Sequence, residues 1–259
     1  MTYHTTSKLK LNVMLIAGFC AMTAAANVHA AGTINSLVTT PGTTYETTGL
    51  QINSDLGVPV LGTDMNAGLQ VNVQFLNGMI ESVNWDPSTG SASGTGWQLA
   101  TTGDTLVTPW ILRQVGSFPT GAPGIDSMQL EFLSGSANAV WDTGFGGNTP
   151  NSNAGTTFAL AGSQLGSWDV DVTYRDEIAL QGTAAQGDIF RELRIDFVGN
   201  SSIGVFDIGD QMAFVADTDL LMAGAVLSEQ SVPEPTGIVL AISAVAACGW
   251  NFRQRKRKV

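Results

Sequence analysis

Between Ala31 and Ala225 stretches of period-two alternation of apolar and polar side chains recur, and there is no helical periodicity of useful length. Leu69, Val71, Val73 and Phe75 alternate with Gln70, Asn72 and Gln74. Trp168, Val170, Val172 and Tyr174 alternate with Asp169, Asp171 and Thr173. The same pattern returns at Leu193, Ile195 and Phe197, and at Met212, Phe214 and Ala216. A period of two puts alternate residues on opposite faces of an extended strand. One apolar and one polar face is the signature of antiparallel sheets with a wet side. Further strands are expected near residues 33–38, 46–52, 97–101, 107–115, 127–133, 137–141 and 156–160. The pattern predicts one all-β domain over residues 31–226, an antiparallel β-sandwich of jelly-roll-like form.

Asn77-Gly78 marks a hairpin within it. A two-residue turn pairs Phe75 with Ile80 but Val73 with Ser82. A three-residue connection is expected to pair Phe75 with Glu81, Val73 with Val83 and Val71 with Trp85, which keeps more apolar residues on one face. Glu81 then lies on the mostly apolar face near the sheet end, read as a rim glutamate rather than as an acid of raised pKa. The stretches 86–96 and 144–155 are expected as long polar loops. Gly94-Thr95-Gly96 is no phosphate loop, because neither a third Gly nor a Lys follows it.

Charge sorts the chain into three parts. Residues 31–232 hold 21 acids against Arg113, Arg175, Arg191 and Arg194, a net −17. They contain no His, Cys or Lys. That removes nucleic-acid binding by phosphate neutralisation, Ser-His-Asp and Cys-His triads, His- or Cys-ligated zinc, Schiff-base lysine and an internal disulfide. Carboxylate-pair chemistry and oxygen-ligated metals are the chemistry that remains.

The two ends carry the opposite charge. Lys8 and Lys10 precede the apolar run Leu11 to Ala21, and Val28-His29-Ala30 places small residues before Ala31. This reads as a secretory signal peptide, residues 1–30, cut by signal peptidase after Ala30, with Ala26 as the second choice. Phe19 before Cys20 argues against a lipoprotein site. At the other end, residues 227–232 read as a polar linker, followed by Pro233-Glu234-Pro235, an apolar run over 236–252, and the basic end 253–259. Those 17 apolar residues stand at the short end of a bilayer span, and the basic cluster stays cytoplasmic. Two prolines beside a glutamate cannot continue a membrane helix.

This order of Pro-Glu-Pro, one short span and a basic end resembles the PEP-CTERM sorting signal. The resemblance implies an exosortase substrate of a Gram-negative bacterium, held in the inner membrane through 236–252, cut near Pro233-Glu234-Pro235, and delivered to the cell surface or exopolysaccharide matrix. A plain tail anchor is the alternative. Residues 140–220 also resemble ectodomains of planctomycete-type PEP-CTERM proteins, through Phe145 to Phe158, Val172-Thr173-Tyr174, Gly187 to Phe197 and Phe214 to Asp219. No catalytic role attaches to those motifs.

Candidate sites are few. Asp207, Asp210, Asp217 and Asp219 cluster near the last strand, and Asp217 and Asp219 share a face that could meet a Ca²⁺ if a loop supplied carbonyls. A solvated acidic strand end is the simpler reading, and no cofactor is otherwise expected. Asp169 and Asp171, with Arg175, read as a wet strand face. Of the tryptophans, Trp85 and Trp168 fall on apolar faces, whereas Trp97 and Trp141 adjoin Gly-rich loops and are the candidate sugar platforms. The expected protein is a structural or adhesive surface protein and not an enzyme. A carbohydrate-binding module is the second reading and a carboxylate-pair glycosidase the third.

Overall fold

The structure is a computed structural model that describes residues 32–40, 42–48, 59–144, 155–162, 164–166, 168–180, 184–199, 205–221 and 226–229. The expected signal segment with its cut after Ala30, the Pro233-Glu234-Pro235 motif, the 236–252 run and the basic end lie outside these described residues. Among the described residues no helix is long and apolar enough to cross a membrane.

The described chain is all-β. In the ten-stranded sheet the spatial order is β15 (Val226–Glu229), β2 (Tyr45–Thr48), β11 (Asp169–Leu180), β12 (Ile189–Phe197), β8 (Ile125–Phe132), β3 (Leu69–Phe75) and β4 (Ile80–Asn84). β1 (Thr33–Thr40) also pairs with β11, and β9 (Ala139–Asp142) joins β12 to β14 (Asp217–Leu220). The five-stranded sheet runs β10 (Ala159–Leu160), β13 (Gln211–Val215), β7 (Trp110–Gln114), β6 (Trp97–Ala100) and β5 (Ser91–Gly94).

The alternation finds its cause here. Val71, Val73, Leu130, Met128, Leu193, Ile195, Val172 and Tyr174 stand in register across β3, β8, β12 and β11, and all are fully buried. Their polar neighbours turn to the other face. The smaller sheet covers the apolar face with Trp97, Leu99, Trp110, Leu112, Met212 and Phe214. Trp110 is the contact between the sheets. Its ring lies 5.4 Å from Trp85 and 5.4 Å from Trp141, and it stacks on Phe214 at 6.2 Å.

Several expectations need correction. Two pairings are parallel, not antiparallel: β11 carries β1 along Asp169–Arg175 and β2 along Ile178–Leu180. Parallel neighbours need a long connection, and more than 120 residues separate β2 from β11 in sequence. The expected strand through Met212 and Ala216 is two strands. It leaves the smaller sheet after Val215 and enters the larger one at Asp217, with Ala216 between. The 86–96 loop contains β5, whose Ser91 and Ala92 are both buried and pair with Ala100 and Leu99 of β6. The polar linker 227–232 begins inside the fold. Leu227 is buried, β15 pairs with β2, and Leu227 O accepts from Gly135 N at 3.1 Å and Ser134 Oγ at 2.8 Å.

The hairpin between β3 and β4 keeps the expected face but not the expected partners. Val73 faces Glu81 and Val71 faces Val83. The connection is Leu76-Asn77-Gly78, so Phe75 meets Met79, with Phe75 N donating to Met79 O at 2.8 Å. The reason is the turn itself. Asn77 Oδ1 accepts from Met79 N at 3.0 Å, and Gly78 takes the left-handed conformation, φ 82°, that closes a three-residue loop.

Glu81 therefore points inward from an edge strand. Its Oε2 accepts from Thr95 N at 2.9 Å and Trp97 Nε1 at 2.8 Å, and its Oε1 from Thr95 Oγ1 at 3.0 Å. The rim glutamate thus fastens the β5–β6 turn of one sheet to the edge of the other. An inward charge on an edge strand also discourages edge-to-edge pairing. Gly94 is required beside it, since an added Cβ would lie 2.4 Å from Glu81 Oε2. Glu81→Ala leaves the buried indole N–H of Trp97 without its acceptor. It is expected to cost roughly 1–3 kcal/mol, read as a lower urea midpoint with an unchanged slope.

Candidate functional site

Neither candidate sugar platform has a free face. Trp97 and Trp141 are both 0 % exposed. Trp97 alternates with Gln98 in β6 and packs inward beside Leu99. Trp141 lies 5.3 Å from Phe132 and 5.4 Å from Trp110, and donates from Nε1 to Leu130 O at 3.4 Å. A neighbouring Gly-rich loop does not expose a strand residue; the pleat decides, and in both strands it points the indole into the core. Trp85 and Trp168 are buried as expected.

The acidic residues form a different group from the one expected. Asp217 and Asp219 are both on β14 and both buried, so the solvated strand end is not what the chain builds. Asp217 stands directly across from Asp142 of β9. Asp142 is 2 % exposed and Asp217 9 %. Two backbone-adjacent turns enclose them. Gly144 N donates to Asp142 Oδ1 at 3.2 Å, Asp217 N donates to Thr156 O at 3.0 Å, and an added Cβ on Gly155 would sit 2.2 Å from Asp142 Oδ1. Asp217 Oδ1 accepts from Thr218 N at 2.9 Å and Thr105 Oγ1 at 3.2 Å.

Two carboxylates facing each other away from water cannot both ionise cheaply. Burial, then repulsion from Asp142, pushes the Asp217 carboxyl up to about 7. Burial also raises the nearby Tyr174 phenol, whose oxygen accepts from Phe158 N at 2.9 Å. At pH values below about 7 the Asp217 carboxyl is protonated. Among the described residues no group of three or more His, Cys, Asp and Glu side chains is placed to hold a metal ion. Asp207 and Asp210, the other two members of the expected cluster, meet each other in a turn, where Asp210 Oδ2 accepts from Asp207 N at 2.9 Å.

A second polar centre was not anticipated. Arg191 of β12 reaches Asp176 Oδ2 at 2.6 Å, pairs with Glu131, and lies 4.4 Å over the Tyr45 ring. Burial opposes its charge, but Asp176 and Glu131 more than offset that and hold its pKa above the usual value. Asp176 sits at φ 60°, the one non-glycine residue with positive φ among those described, and its Oδ1 also accepts from Thr43 N at 3.0 Å. The group ties β2, β8, β11 and β12 together at the place where β11 changes parallel partner. The sequence did carry a pointer: an arginine inside an alternating strand, among 21 acids, has to find partners.

Compared with known protein families, with curated proteins and with solved structures, the chain matches none.

The Asp142–Asp217 pair has a pH signature. The native state keeps the Asp217 proton up to about 7, whereas the unfolded chain releases it near 3.8. The native state thus binds more protons over that interval, and stability falls as pH rises through it, by a few kcal/mol on the order of magnitude. Asp217→Asn is expected to be nearly neutral at the acid end and stabilising at pH 8, so that its pH–stability profile, followed by chemical denaturation, flattens. An unchanged slope in the variant would mean that the repulsion lies elsewhere.

Proposed function

We propose that the chain is an exported protein of the cell surface or extracellular matrix, sorted by an exosortase, with a structural or adhesive role and no enzymatic one. The observation that carries this reading is the order of the C-terminal tail: Pro233-Glu234-Pro235, the apolar run 236–252, and five basic residues among the last seven. The N-terminal lysines and the acidic, lysine-free middle agree with it, because both basic ends stay on the cytoplasmic side while the middle crosses. Signal peptidase cuts after Ala30, residues 236–252 hold the precursor in the inner membrane, and exosortase removes the tail. The finer fold belongs to the same reading: a jelly-roll-like sandwich, antiparallel apart from the two strands that join β11 in parallel, between a signal helix and a transmembrane helix. The aromatic core shared by the two sheets supports the sandwich.

The position of β15 adds a geometric consequence. Three residues, 230–232, separate its last residue from Pro233. Four Cα–Cα steps from Glu229 to Pro233 reach at most about 14 Å, so the precursor's sandwich is held close to the membrane surface until the tail is cut. The second reading, a carbohydrate-binding module, is favoured by one observation, the broad polar face of the larger sheet.

Intact-mass measurement of the protein recovered from its native surface is expected to show a chain that begins near Ala31 and lacks everything after the Pro-Glu-Pro motif. Glu234→Ala should leave membrane insertion unchanged and slow tail removal. Steady-state protein that still carries Arg253 to Val259 overturns the sorting reading in favour of a plain anchor.

A further inference from the structure

The outer face of the larger sheet is organised in complete cross-strand rows. The middle row runs Ser82, Asn72, Gln129, Arg194, Thr173 and Val38 across β4, β3, β8, β12, β11 and β1. The next row runs Gln70, Glu131, Glu192 and Arg175. On β4 and β3 the outward groups are mainly amides and hydroxyls. The charges farther along are largely neutralised in place, Arg194 by Asp196 at 2.7 Å and Glu131 by Arg191. Asp169 and Asp171 leave the start of β11 acidic, so the neutral hydrogen-bonding part of this face is β4, β3 and Gln129 of β8, on a domain of net charge −17.

Glu192 departs from that pattern. It is 5 % exposed, and its Oε1 has no hydrogen-bond partner among the described residues. Arg175 Nη1 stands 3.9 Å away, beyond hydrogen-bond reach. Burial, against the pull of Arg175, raises its pKa. A buried acceptor left without a donor is costly to a fold, and a ligand hydroxyl would supply the donor. Arg175, with its side chain 45 % exposed, is the neighbour that would move aside.

We propose that this face binds an extended, uncharged polysaccharide laid across the strands, with a sugar hydroxyl donating to Glu192 Oε1. The proposal rests on the matrix reading above and names its ligand. Amides and hydroxyls both donate and accept, which matches the hydroxyls of a neutral glycan. In the middle row Ser82, Asn72 and Gln129 are such groups on three adjacent strands, about 4.8 Å apart, a spacing comparable with successive rings of an extended sugar chain. Charge decides against the other polymers. A polyanion is repelled by the rest of the domain, and a polycation would be drawn to the acidic surface at large rather than to its neutral part.

The test is calorimetric titration of the full chain in detergent, with hydroxyethyl cellulose and glucomannan as neutral probes and polygalacturonate as the anionic one. The neutral probes should bind and polygalacturonate should not. Glu192→Leu is expected to weaken binding at least tenfold while thermal stability holds or rises, a combination that a merely structural carboxylate would not give. Should that variant fail to fold, Ser82→Arg decides, because this exposed edge position should block the middle row and leave the melting temperature unchanged. Absence of binding to both neutral probes, binding that survives Ser82→Arg, or tighter binding to polygalacturonate overturns the proposal. So does sedimentation that shows this face covered in a dimer. A negative result together with normal tail removal leaves the exported-protein reading standing, whereas a retained tail with intact glycan binding defeats only that reading.

Discussion

Each of the five buried indoles among the described residues has a hydrogen-bond acceptor, and two of these bonds tie the two sheets together. Trp110 donates to Ala216 O at 3.0 Å, at the residue where the chain passes from the smaller sheet to the larger. Trp97 donates to Glu81 across the rim, and Trp85 to Gly62 O at 2.7 Å. Trp141 and Trp168 each reach a backbone carbonyl at 3.4 Å. Residues 31–232 have no cysteine, so no disulfide within them can assist. The large aromatic area supplies the driving force, and the indole N–H groups supply the specificity of where each ring sits.

The same economy governs the buried charges. Arg191 is surrounded by Asp176, Glu131 and the Tyr45 ring, and so satisfies two acids while it fixes the left-handed turn at Asp176. Asp217, across from Asp142, takes its hydrogen bonds from a hydroxyl and a backbone N–H, and its raised pKa makes the β9–β14 pairing responsive to pH. Glu192 is a third case, a buried acid whose Oε1 has no hydrogen-bond partner among the described residues.

The strands of the larger sheet were readable because one face is dry: Leu69 to Phe75 and Trp168 to Tyr174 alternate without exception, and the structure buries the expected set. What escaped was whatever depends on distant partners. Nothing in the sequence near Thr33 or Tyr45 announces that these short strands add in parallel to β11. Nothing local shows that Leu227 returns to the core. The hairpin failed by two residues because the face argument fixes only parity, whereas Asn77 and Gly78 fix the loop. For the sites, the error at Trp97 and Trp141 was avoidable. Trp97-Gln98-Leu99 already alternates, and the strand's own period outweighed the adjacent glycines. The Asp142–Asp217 pair was not readable, because 75 residues separate two acids that only the sheet brings face to face.

The sandwich requires the indoles to be closed inside the fold. Amide-type hydrogen exchange at the indole N–H groups measures this directly, in the full chain carrying Trp250→Phe so that Trp85, Trp97, Trp110, Trp141 and Trp168 alone report. Five slowly exchanging indole protons, released together at the unfolding transition, are the expected result. An indole proton at Trp97 or Trp141 that exchanges as fast as a free indole under native conditions would contradict it, and would return that ring to the surface as a binding platform.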